Sequence, residues 1–262
     1  MLKPEKAYNF DNAIKATWAK MRPDFSDFKD IYDAEKLKRD AARLKEKRAR
    51  IFAKGAFDRS EDLELGEDFE YCLMEAVHER GWFDKSVSVS PGSQYDDMFH
   101  GVDLILSFRV DTEDDGEPSY EYLAIDATVA QHPEVLEKKE EEARKNLLNG
   151  QMAIVEYFIN DDDPKIRGTI RLPEVICALT PADAVDFKNL LGRGRQLSFD
   201  DEKRLTVLKN EILARIELQL RKRIEFINEW GRSASPELRD SLRLIKGKHE
   251  RILQLFIERK KG

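Results

Sequence analysis

The chain is 262 residues long, 41% hydrophobic and 37% charged, enough for one α/β domain with extensions or for two small domains. Its net charge of −7 is unevenly spread: +6 over residues 1–60, −20 over 61–190 and +7 over 191–262. No apolar run approaches the ~20 residues of a membrane span, and the first residues lack the apolar stretch of a secretory signal. Cys72 and Cys177 stand far apart, without the spacing of a zinc site or a disulfide framework, and read as buried thiols. A cytoplasmic protein that does not enter membranes is expected.

Residues 1–60 read as a polar helical extension. From Ile31 to Lys54 there is no Gly or Pro, and Ile31, Ala34, Leu37, Ala41, Leu44, Ile51 and Phe52 recur at three- and four-residue steps. Gly55 is the expected stop. Residues 67–80 predict an amphipathic helix with Phe69, Cys72, Leu73, Ala76 and Val77 on its apolar face, ended by Gly81. Strands are predicted at Lys85–Ser90, Val102–Val110 and Tyr122–Ala130. The acidic turn DTEDDGEPS makes the last two an antiparallel hairpin.

Pro133 opens a helix to about Leu148, closed by Asn149–Gly150. Strands follow at Ala153–Ile159 and Glu174–Leu179, with the turn-rich NDDDPK between them, and then a helix over Pro181–Leu191. Two long helices, Asp200–Trp230 and Pro236–Lys261, close the chain as an antiparallel pair.

Two aspartates sit where strands disfavour them. Asp103 opens the apolar run GVDLIL, and Asp126 lies inside LAIDATV. A buried charge flanked by Ile, Ala and Val is costly without a partner. If the hairpin puts both on one face, Thr128 joins them while Ile125, Ala127 and Val129 pack on the other. Two close carboxylates repel, and a divalent cation is a common way to keep both ionised. The plainer alternative is that each Asp caps a loop or answers a single Arg.

These elements and residues resemble the PD-(D/E)XK nuclease superfamily, most closely its restriction-endonuclease-like and Holliday-junction-resolvase-like members. The resemblance spans roughly residues 65–191. It rests on the helix Gly66-Glu67-Asp68-Phe69-Glu70 with Gly81-Trp82 beyond it, on Asp103 after Gly101-Val102, and on Asp126 in the second motif. It implies an α/β fold: a restriction-endonuclease-like core (a mixed central sheet flanked by helices) at 61–192, with helical extensions at 1–60 and 193–262. It also implies a Mg²⁺ or Mn²⁺ ion held by Asp103, Asp126 and the Ala127 carbonyl, with Glu70 acting through water.

The family's motif Lys is replaced by Thr128, and some members are thought to supply that Lys from the following helix. Here Lys139, on the helix's inward stripe, is the first choice and Lys138 the second. His132 could assist, although a His beside a helix-opening Pro more often lies on the surface.

The expected activity is metal-dependent hydrolysis of nucleic acid, DNA first. Lys45, Lys47, Arg48 and Arg50 at one end, and Arg193, Arg195, Lys203, Arg204, Arg221, Lys222, Arg223, Arg259, Lys260 and Lys261 at the other, are candidates to hold a polyanion. The stripe Leu205, Leu208, Ile212, Ile216, Leu220, Ile224 and Ile227 fits either an intramolecular seam or a homodimer interface. Two rival readings are a catalytically silent nuclease fold that binds nucleic acid or protein, and a helical scaffold or assembly protein.

Overall fold

A computed structural model describes residues 12–53, 60–111, 116–130, 132–193 and 197–260. Helices α1 (Asn12–Met21) and α2 (Ala34–Ala53) flank a 3-10 turn at Phe25–Phe28, and α3 (Ser60–His78) follows. Strand β1 (Val87–Pro91), helix α4 (Gln94–His100) and strands β2 (Leu104–Val110) and β3 (Ser119–Val129) come next. Helix α5 (Pro133–Leu148) precedes strands β4 (Ala153–Ile159), β5 (Arg167–Leu172) and β6 (Glu174–Leu179). Helices α6 (Pro181–Gly192), α7 (Phe199–Gly231) and α8 (Pro236–Arg259) complete the order.

The central sheet is mixed, in the order β1–β2–β3–β6: the first three strands are antiparallel, and β6 runs parallel to β3. Alternation along the strands divides the core. Leu104, Leu106, Phe108, Leu123, Ile125 and Ala127 pack under α3 and α6 against Phe69, Cys72, Leu73 and Phe187. Ile105 and Ala124 face the other way, onto Val155, Phe158 and Leu172 of the β4–β5 ribbon. Fully buried side chains such as Phe108 and Ile212 each contribute about 1.5–3 kcal/mol of transfer free energy. The two cysteines are buried thiols, not joined in a disulfide.

The long C-terminal helices belong to this core. Leu205, Leu208, Ile212, Ile216 and Leu220 of α7 and Ile252, Leu255 and Phe256 of α8 join the cluster beneath the sheet, so the α7 stripe is buried within the chain. Ser198 and Asp201 form a capping box at the start of α7, and Ser235 with Pro236 starts α8. The open edge of β6 is closed by α7. Ile176 N–H donates to Gln219 Oε1 at 2.8 Å, the Gln219 amide donates back to the Ile176 carbonyl, and Arg215 donates to Ala178 O at 2.5 Å.

The helix expected over 67–80 begins earlier, at Ser60. The helix predicted from Ile31 starts at Ala34, and its expected stop at Gly55 lies outside the described residues. Helix α4 and strand β5 were not anticipated. Ser93 caps α4, and Gly101 ends it in the left-handed region at φ 66°. β5 pairs with β4, across a bulge, in a separate two-stranded sheet, so β4 is not a strand of the central one. Among the described residues no helix is long and apolar enough to cross a membrane.

Candidate active site

Two glycines set the geometry where β2 begins. Gly92 N–H donates to Asp103 O at 2.7 Å, and a Cβ on Gly92 would lie 2.2 Å from the Val102 carbonyl oxygen. Gly101 turns the chain out of α4 into Val102–Asp103. Asp103 N–H then donates to Ile125 O at 3.0 Å. Since Leu104 pairs with Ile125, one further step brings Asp103 opposite Asp126. Both carboxylates are buried, at 7% and 5% exposure. Asp126 and Thr128 share the face opposite to Ile125 and Ala127, as the alternation requires.

Asp103 Oδ2 accepts the Ala127 N–H at 2.7 Å. Asp126 is engaged differently. The Lys139 ammonium, reaching in from α5, donates to Asp126 Oδ1 and Oδ2 at 2.6 and 2.7 Å and to Thr128 Oγ1 at 2.7 Å. Thr128 Oγ1 also donates to Asp126 Oδ1 at 2.6 Å. Thr128 therefore seats an ammonium that arrives from the helix, next to the carboxylate of its own strand. Leu136 and Ala143 share the inward stripe of α5 with Lys139, whereas Lys138 and His132 are exposed and outside this cluster.

Glu70, on α3, is buried and accepts from Arg22 Nη2; the other arm of that guanidinium donates to Asp97 Oδ2 at 2.9 Å. Arg22 follows α1, and Asp97 lies on α4. Neither was anticipated from the sequence. The signal for Asp97 was the acidic pair Asp96–Asp97 in an otherwise aromatic segment. Asp96 is structural: it takes Ser93 Oγ at 2.6 Å and the Glu156 and Tyr157 N–H groups at 2.6 and 3.0 Å. Asp97 instead borders a cavity of about 430 Å³ with Asp126, Lys139 and Glu174.

The electrostatics follow from this crowding. Burial raises Glu70 to about 8; Arg22 opposes the shift, while Asp97, Glu67 and Asp126 add to it. Asp103 is raised well above the ordinary aspartate range by burial and then by Glu70, Asp97 and Asp126, with the Ala127 N–H opposing. On the same face as Asp126, Glu174 is lifted to about 7 by burial, which Arg223 and Lys139 counter and Asp126 reinforces.

The donor set is all oxygen, the kind that suits Mg²⁺ or Mn²⁺. Among the described residues, however, no three Asp, Glu, His or Cys side chains converge as a metal centre needs. The cations in the cluster are Lys139 on Asp126 and Arg22 on Glu70.

Among the described residues, six of the fourteen candidate terminal cations answer nearby carboxylates. Arg193 pairs with Asp201, Arg204 with Asp183 and Asp186, Arg221 and Lys260 with Glu217, and Arg259 with Asp84. Arg50 pairs with Glu46, and Lys47 donates to the Met98 carbonyl. Lys45, Arg48, Lys203 and Lys222 are exposed, Arg223 is buried, and Arg195 and Lys261 lie outside the described residues. Comparison of the chain with family models, with curated proteins and with solved structures gave no match.

Proposed function

We propose that the protein is a cytoplasmic, metal-dependent phosphodiesterase of the PD-(D/E)XK nuclease type, acting on DNA. The observation that carries this reading is the Lys139 ammonium held between the Asp126 carboxylate and the Thr128 hydroxyl, with Asp103 opposite. The strand carries Thr128 where the resembled motif has lysine, and the following helix brings an ammonium to that threonine. Asp103 and Asp126 would hold the ion, with the Ala127 carbonyl beside them and Glu70 through water. When bound, such an ion supplies Lewis acidity and lowers the pKa of a bound water. Lys139 would position the nucleophile and offset charge developing on the phosphate. Glu70 and Asp103, which burial and mutual repulsion leave short of full ionisation, give the cation a reason to bind.

The test is incubation of branched, linear and single-stranded DNA with Mg²⁺ or Mn²⁺, beside Asp103→Ala, Asp126→Ala and Lys139→Met. Metal-dependent cleavage lost in all three supports the reading; cleavage that survives the two Asp substitutions sinks it. A second reading, a catalytically silent nuclease fold that binds nucleic acid or protein, is favoured by two observations: Lys139 takes both oxygens of Asp126, and among the described residues no three carboxylates converge. Salt-sensitive DNA binding without cleavage in either metal would select it.

A further inference from the structure

Where α7 passes α5 and β6 it carries a cation the candidate active site does not use. Arg223 is only 8% exposed, yet it makes no hydrogen bond or ion pair among the described residues, and its Nε has no partner. Glu174 and Glu140 attract it, but burial dominates and draws its pKa down. A buried guanidinium without a partner is costly, and folds rarely keep one for stability alone. His249, close by and also buried, adds no charge: burial lowers it to about 4, and Nδ1 is bonded to the Ile245 carbonyl at 2.8 Å.

Arg223 borders a cavity of about 310 Å³ between α5 and α7, together with Arg144, Lys222 and Gln219. Three carboxylates also line it. Glu140 is engaged by Arg144 at 3.6 Å, and Glu225 and Glu229 are exposed to water at the rim. On its other side Arg223 reaches a narrow crevice shared with Glu174. Ala143, Asn146 and Glu174 continue from that crevice into the cavity at Asp126 and Lys139.

We propose that Arg223 is the floor of a second anion subsite, which takes a backbone phosphate of the substrate strand beside the candidate active site. The assignment rests on the nuclease reading for the identity of the strand, but not for the existence of the subsite. A guanidinium offers a planar fork that matches two phosphate oxygens, and the exposed Lys222 lines the same cavity beside the Arg144–Glu140 pair.

The test uses the full chain in EDTA, so that cleavage plays no part, with wild type, Arg223→Met and Arg223→Lys. Inorganic phosphate is titrated in thermal melts, and binding of a short single-stranded oligonucleotide is followed against salt. In phosphate-free buffer Arg223→Met is expected to melt at or above wild type, by up to about 2–4 °C, because an unpaired buried charge has been removed. Phosphate should raise the wild-type melting temperature saturably and leave Arg223→Met unmoved. Oligonucleotide affinity should fall three- to tenfold, with a log–log salt slope smaller by about 0.7.

Should Arg223→Met fail to fold, Arg223→Lys keeps the charge, loses the fork, and should weaken phosphate binding at least threefold. A wild type indifferent to phosphate, or an Arg223→Met protein that still responds to it, overturns the subsite. A phosphate response without an oligonucleotide response assigns the cavity to a small phosphorylated molecule and overturns the strand assignment. Absent cleavage with Arg223-dependent strand binding would remove the nuclease reading alone. Intact cleavage with no Arg223 effect would remove the subsite alone.

Discussion

Asp40 on α2 and Asp103 at the start of β2 are both withdrawn from water, at 1% and 7% exposure, and the fold treats them in opposite ways. Asp40 receives the Lys36 ammonium at 2.7 Å and the Tyr157 hydroxyl at 2.8 Å, with Arg39 at 3.5 Å and Arg43 at 3.9 Å. Burial opposes its ionisation, yet those partners win, and it is held below the ordinary aspartate range. Asp103 has the Ala127 N–H and three carboxylates for company, and it is pushed the other way. Two carboxylates out of reach of water thus differ: one is satisfied and ties α2 to β4, and the other, set deeper in the protein and short of cations, is frustrated. Frustration of that kind gathers where a fold must accept a cation or move a proton.

The largest expected effect separates the two by activity. Asp126→Asn should lower DNA cleavage by about 10³ or more, and Lys139→Met by about 10²–10³. Restoring an ammonium from the strand, in Lys139→Met with Thr128→Lys, should recover part of that loss. Rates within tenfold of wild type for the single variants would break the comparison. Asp40→Ala should do the reverse, costing about 3 kcal/mol of stability, since it strands part of a buried ion-pair network. Cleavage per folded molecule should be unchanged, and urea unfolding beside a rate measurement would read both.

The next effect concerns pH. Glu70 is raised to about 8 in the folded chain, above its unfolded value of about 4.3. The folded state thus holds this proton more tightly, so its contribution is complete below about pH 4 and is lost as pH rises through about 8. Asp103 acts in the same direction. Asp40, being lowered, contributes above the unfolded aspartate pKa and loses that contribution on acidification. Glu70→Gln should therefore be more stable than wild type at pH 9, by up to about 5 kcal/mol, and near-equal below about pH 4. Equal stabilities at pH 9 would count against the crowded cluster. The smallest effect is a rise of a few degrees in melting temperature when Mg²⁺ is added at pH 8, by ligand linkage. It should be absent in Asp126→Asn, and an equal rise in both would place the ion elsewhere.

What could be read from the sequence followed local rules. The bounds of α5, β4 and β6 were legible because Pro133, Asn149–Gly150 and short apolar runs mark them. Helix α4 is seven residues, too short for its periodicity to register. In β5, RGTIRL alternates only weakly beside a turn-rich segment. Asp103 and Asp126 stood out because a charge inside an apolar run is anomalous, and Lys139 because it shares a stripe with Leu136 and Ala143. Arg22 is a polar residue in a polar setting, and the Asp96–Asp97 pair does not show which of the two is structural; only the tertiary approach of α1, α3 and α4 joins Arg22, Glu70 and Asp97. The basic ends were visible as charge, yet their pairing with Asp84, Asp183, Asp186, Asp201 and Glu217 depends on which helices meet.

The lock that Gln219 and Arg215 place on β6 has a consequence for how the chain can be divided. Opposite β3, the unpaired side of β6 would offer an open row of donors and acceptors to any other strand. Cutting the chain between α6 and α7 would uncover that row and, beside it, the apolar residues that Leu208, Ile212 and Ile216 now cover. A fragment ending near residue 192 should then self-associate edge to edge into insoluble aggregate, making α7 and α8 a built-in guard against polymerisation.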